Sequence, residues 1–133
     1  MNDTEIKKAF ENFDKDKFSL VISTTSLENE PLTNYSPFVK LGADYYISVS
    51  SMLPHYKNMM DTKKTHVLIM EDEANAEHIY ARKRLYFSAS CEVVSDAETI
   101  FQLFDERYGD KLSFLREMKD FKVLKLTPKE RSL

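Results

Sequence analysis

Apolar residues recur at helical spacing near the start of the chain and at strand spacing through most of the remainder. Over residues 2–13, Asp3 is placed to cap a helix, and Ile6, Phe10 and Phe13 follow three or four positions apart. That predicts a short amphipathic helix, which the polar run 14–17 ends. Residues 18–24 (FSLVIST) are apolar and β-branched and predict a buried strand; 26–31 (SLENEP) read as a turn. Residues 32–39 predict a second strand, an edge or a bulged one, because Pro37 removes a ladder donor. A turn at 40–44 holding Gly42 leads to a third strand at 45–49 (YYISV), so the front half reads as an antiparallel meander.

Pro54 suits the first position of a helix, here over 55–62. Residues 65–70 (THVLIM) predict a fourth strand, 71–78 an acidic loop, and 79–94 one long β-rich run containing a bend or bulge. Ser95 and Glu98 have the spacing of a capping box, followed by a helix whose stripe is Ile100, Leu103, Phe104 and Tyr108. Gly109 is placed to end it in the left-handed conformation, and Asp110 to cap a second helix bearing Leu112, Leu115 and Met118. Residues 121–126 alternate as a last strand that Pro128 ends. Strands in series with one late helical pair predict a mainly β, α+β fold. It is read as one domain over 1–133, with the N-terminal helix in 1–17, strands and a short helix in 18–94, the helical pair in 95–119 and the last strand in 120–128.

Composition narrows the chemistry. The chain has 133 residues, 42% of them hydrophobic, which excludes a wholly disordered protein. A formal net charge of −3 argues against a nucleic-acid binder. No apolar stretch approaches a membrane span, and the N-terminus has no apolar signal core. With two glycines there is no phosphate loop, and the single Cys91, without a signal peptide, fits a reducing cytoplasm. His55, His66 and His78 have no metal-ligand spacing, so no protein-built metal site is expected; His66 reads as a core or edge histidine. Cys91 falls on a core-facing parity, where a thiol is inert, and Ser50 and Ser51 lack a nucleophile motif; no catalytic residue is assigned.

Two segments could bind a ligand. Over 80–86 (YARKRLY), strand alternation would put Tyr80, Arg82, Arg84 and Tyr86 on one face and Lys83 on the other. Two guanidiniums between two rings suit a planar anion, held by forked hydrogen bonds and stacking; a solvated edge beside the acidic loop explains them equally. Over 48–58 (SVSSMLPHYKN), Ser48 and Ser50 leave a strand and lead to a helix start bearing His55, Lys57 and Asn58. Free N–H groups there attract anions, and a plain helix start with surface charges explains the same residues.

YISVSSMLPHYKN, THVLIMEDE, IYARKRLYFSASCEVV and ERYGDKLSFLREMKDFKVLKLTP, in that order, resemble the pyridoxamine-phosphate-oxidase-like split barrels. Within that family the resemblance is to the haem-utilisation subfamily typified by HugZ, over about residues 18–128. It implies a six- or seven-stranded antiparallel split barrel with short flanking helices, forming a homodimer. It also implies a cofactor cleft between subunits: FMN in the flavin-dependent oxidoreductases, haem in the haem-utilisation branch, where some members degrade haem oxidatively. The resemblance carries a ligand role to Arg82, Arg84 and Lys83, and places Ser48, Ser50, His55, Lys57 and Asn58 near the phosphate or propionates. His55 stands where FMN binders have lysine, which favours haem. Haem-degrading relatives take their iron ligand from a C-terminal tail, to which no residue here corresponds. A cofactor-free binding protein is the remaining class.

Overall fold

The computed structural model describes residues 13–132, so the predicted N-terminal helix lies outside the described residues apart from its last residue, Phe13. Seven strands follow: β1 (Ser19–Thr25), β2 (Pro31–Pro37), β3 (Val39–Leu41), β4 (Asp44–Ser50), β5 (Lys64–Met70), β6 (Arg84–Val93) and β7 (Phe121–Ser132). Two α-helices interrupt them, α1 (Pro54–Thr62) and α2 (Glu98–Tyr108). All pairings are antiparallel, in the order β2-β1-β5-β6-β7-β4-β3. The outermost strands β2 and β3 are joined through the single residue Phe38, so the sheet has to curl until its edges meet. Pro37 causes this switch: it ends the pairing with β1, and the chain resumes against β4. Gly42, at φ +64°, makes the tight turn of the β3–β4 hairpin.

Inside the curl sit Leu20, Ile22, Tyr45, Ile47, Val67, Ile69, Leu85, Phe87, Leu124 and Leu126, all buried. α1 closes one mouth of the barrel with Met59. Outside, α2 lays Ile100 and Phe104 on Val39, Tyr46 and Val123, covering the β3-β4-β7 half of the sheet. At the base of α2, the Arg107 guanidinium lies between the Phe18 and Phe38 rings, 4.7 and 5.5 Å from their centroids. Beside it, Asp14 is buried, accepting from the Tyr45 hydroxyl and 3.3 Å from Lys40 Nζ. These contacts anchor the start of the described chain to the barrel.

Several expectations are corrected. The run 79–94 is not one strand: Ile79–Ala81 is a 3-10 turn, capped by the His78 ring, and β6 begins only at Arg84. The capping box does not form. Helix α2 starts at Glu98 with Ala97 at the cap position and no capping side chain; Asp96 Oδ1 lies 3.5 Å from the Glu98 N–H. Gly109 does turn to positive φ, but with ψ −144° it lies outside the left-handed helical region, in a conformation that favours glycine. The second helix is a 3-10 segment, Gly109–Glu117, with Leu115 buried and Met118 exposed. The last strand passes through Pro128 to Ser132. The register with β6 shifts between Ser88 and Ala89, so Lys129 bulges out and the proline's missing donor falls at the irregularity.

Candidate functional site

The residues singled out in the sequence fall into three separate places. Ser48 and Ser50 lie on the outward parity of β4 with Tyr46, on the half that α2 covers. The Ser50 hydroxyl donates to Asp120 Oδ2 at 2.7 Å; Ser48 Oγ is buried and has no partner among the described residues. His55 and Asn58 point into the barrel mouth instead. Asn34 meets His55 Nδ1 at 3.0 Å, and Asn58 donates to Thr24 Oγ1 at 3.1 Å. Both are buried, and each contact ties α1 to β1 or β2. Lys57 points to solvent and pairs with Asp61 one turn later at 2.5 Å.

The third place is the start of β6. Tyr80 and Arg82 precede the strand, so the four-residue face expected over 80–86 does not form; only Arg84 and Tyr86 share it. The Arg82 guanidinium is turned back, donating through Nε (3.0 Å) and Nη2 (2.7 Å) to the Glu71 carbonyl. The Glu71 carboxylate in turn accepts from the Lys83 backbone N–H at 2.8 Å. This clasp sets the β5–β6 connection and leaves Arg84 and Lys83 exposed.

Arg84 stands at one corner of a surface that the sequence reading did not pick out. On the β2-β1-β5-β6 half no helix among the described residues covers the outer face. The register aligns Tyr35, Val21, Leu68 and Tyr86 in one row across four strands. Tyr35 is 75% exposed and Tyr86 38%. Met70 flanks Leu68 beside Arg84, and His66 lies on the other side, its ring centroid 6.1 Å from that of Tyr86. His66 was expected as a core or edge histidine and is instead exposed on this face. The signal for the row was available: LVI and VLIM are unbroken apolar runs, so Val21, Leu68 and Met70 fall on the parity opposite the buried one.

The donor set fits a large apolar ring with carboxylates: an aromatic and aliphatic row and a fork-shaped cation at its end, with an imidazole in the adjoining row of Thr33, Ser23 and Ser88. Over 48–58, Ser50, His55, Lys57 and Asn58 each have a partner within the chain, while Ser48 Oγ has none among the described residues. No group of three or more metal-ligating side chains is found among the described residues. Cys91 faces the core and burial pushes its thiol up to about 12, so it stays protonated and unreactive.

Burial also holds the His55 imidazole below its ordinary 6.5. With the folded value depressed, stability from this group is fully present above the unfolded value and is lost as pH falls toward the folded one. The urea midpoint of the natural chain should therefore drop between about pH 7.5 and about pH 5 more steeply than that of His55→Gln. Parallel slopes would show that His55 is not the responsible group.

Comparison with known proteins agrees with this architecture. The sequence profile of the family described as pyridoxamine 5'-phosphate oxidase matches residues 6–133. Heme oxygenase HutZ of Vibrio cholerae is 27% identical over 129 residues, 94% of this chain and 73% of that protein. The crystal structure of Vibrio cholerae HutZ, described there as a heme storage protein, superposes with a TM-score of 0.84 at 28% identity, over 98% of this chain and 93% of that one. Campylobacter jejuni ChuZ shares the fold with a TM-score of 0.83 at 24% identity; the match covers 98% of this chain but 56% of ChuZ. No helix among the described residues is long and apolar enough to cross a membrane.

Proposed function

The chain belongs to the pyridoxamine 5'-phosphate oxidase family, and from that premise we propose that it binds haem on the uncovered outer face of β2-β1-β5-β6. The observation that carries this reading is the aligned row Tyr35–Val21–Leu68–Tyr86 with the exposed guanidinium of Arg84 at its edge. The row offers flat apolar contact to a porphyrin, and Arg84, with Lys83 nearby, offers cations to its propionates. Arg82 acts at one remove, by fixing the turn from which Arg84 emerges. In this reading Ser50, His55, Lys57 and Asn58 support the barrel and α1 through their partners within the chain. The likeness to HutZ, named for heme, favours haem over FMN. So does the engagement of Ser50, His55, Lys57 and Asn58 within the chain.

A second copy of the chain completes the cleft in this reading. The row leaves Tyr35 and Tyr86 exposed and Val21 and Leu68 half-buried, and a homodimer packed beside it would shelter both row and ligand. One buried free cysteine suits a reducing compartment such as the cytoplasm. Bound haem supplies redox chemistry; the chain's own residues bind it, orient it and exclude water.

The test is titration with haem and, separately, with FMN, with sedimentation on the same samples. Saturable haem uptake with a defined Soret band by a dimer is the expected result. Flavin uptake without haem uptake would move the chain to the FMN oxidoreductases. Uptake of neither would make it a cofactor-free member. Adding reductant and oxygen to the haem complex then separates roles: a persistent Soret band marks a holder, and a bleached one marks an oxygenase.

A further inference from the structure

Residues 72–81, between β5 and β6, form an arm that stands away from the barrel. Its neck is closed by the Glu71 N–H, which donates to the Lys83 carbonyl at 2.9 Å, and by the bonds of Arg82 and Lys83 to Glu71. Beyond the neck, its hydrogen bonds among the described residues are internal, in and around the 3-10 turns Glu73–Asn75 and Ile79–Ala81. None of its residues is buried; Ile79 is 59% and Tyr80 88% exposed, and the Tyr80 ring stacks on the His78 ring of the same arm. An arm that buries nothing in its own chain and carries two large apolar side chains at its tip is built to meet another molecule.

Charge identifies that molecule. The arm carries Asp72, Glu73 and Glu77, none of them in an ion pair among the described residues. At the opposite end of β5 stand Lys63 and Lys64, both exposed and equally without an anion there. The length of β5, Lys64–Met70, separates the two groups by roughly 20 Å at about 3.3 Å per residue. Exposed charges act over only about 8–10 Å at physiological salt, so these cannot serve each other within one chain. A second copy, turned about a two-fold axis over the middle of β5, brings each acidic arm over the other copy's lysines. Beside Lys64 lies a groove of about 270 Å³ lined by Ser23, Thr25, Pro31 and His66. It offers an aromatic ring both apolar walls and hydroxyl partners, as a tyrosine needs.

We propose that residues 72–81 are a dimer arm, which crosses a two-fold axis to the second copy's Lys63 and Lys64 and seats Tyr80 in the groove beside them. The row Tyr35–Val21–Leu68–Tyr86 then lies between the two contacts, as a cleft closed at both ends. The inference rests on the homodimer of the reading above and is independent of haem. Its test is sedimentation equilibrium of the full chain without ligand. One variant carries Glu73→Lys with Glu77→Lys, the other Lys63→Asp with Lys64→Glu. Each alone sets like charges against each other at both contacts and should weaken the dimer at least about tenfold. An equal mixture of the two pairs opposite charges again and should give a heterodimer as tight as the natural dimer, which a general loss of folding would not allow. Tyr80→Ala should weaken the dimer as well. Charge variants that dimerise like the natural chain, or a mixture no tighter than either variant alone, would overturn the arm assignment and leave the homodimer standing. A monomeric natural chain would overturn the homodimer, and the arm assignment with it.

Discussion

Phe87→Ala should lower the free energy of unfolding by about 3–5 kcal/mol, the usual cost of emptying a buried aromatic site. Phe87 lies on β6 near the centre of the sheet, is 1% exposed, and stacks on Tyr45 with centroids 5.0 Å apart. Its pair partner Val67 and its same-face neighbours Leu85 and Ala89 are all buried, so little can move in to fill the space. Domains of this size are stable by only about 5–15 kcal/mol. The variant should therefore unfold at much lower urea and take up haem poorly for want of folded protein. A loss below about 1 kcal/mol would mean that the barrel interior is not packed as described.

Arg84→Ala should act on the ligand and leave the fold alone. Its guanidinium is exposed, and its one hydrogen bond runs to the Arg82 carbonyl at 3.4 Å, so little stability depends on it. Removing charge-assisted hydrogen bonds to a propionate should cost about 1.5–3 kcal/mol of binding, or roughly 10–150-fold in Kd. Arg84→Lys should recover only part of this, since an ammonium cannot make the planar fork. Arg82→Ala should also weaken binding, but through the Glu71 clasp, and it should loosen the β5–β6 connection as read by hydrogen exchange. Unaltered haem affinity in Arg84→Ala, with unfolding unchanged, would remove this arginine from the site.

Where local pattern governs, the sequence reading and the structure coincide. Strand periodicity located β1, β4 and β5 to within a residue or two, and Pro54 opens α1 where a proline should. Pro37 was read as an edge or bulge signal; its larger role, switching the chain between the two ends of the sheet, depends on the curl and is not a local property. The errors arise where two local signals compete. In 79–94 the alternation of side chains was taken through Tyr80 and Arg82, but the His78 ring accepts the Tyr80 N–H and Arg82 reaches Glu71, and both contacts favour a turn. Pro128 looked like a stop, and a one-residue bulge let the strand continue.

The candidate site was half legible. Arg84 and Tyr86 were found, because charge and aromaticity stand out along a strand. The rest of the row was not, because Tyr35, Val21 and Leu68 come from three other strands, and only register brings them together. Ser48 and His55, close in sequence, part company because the strand's outward parity and the helix's inward face lead to opposite surfaces of the sheet.

The most direct test of haem on the uncovered face is paramagnetic broadening of methyl resonances by ferric haem. Val21, Leu68 and Met70 should broaden as haem is added, while Ile100 and Leu103, beneath or on α2 across the sheet, stay sharp. Broadening of Ile100 and Leu103 with Val21 and Leu68 unaffected, or broadening of none of them at saturating haem, would contradict the account.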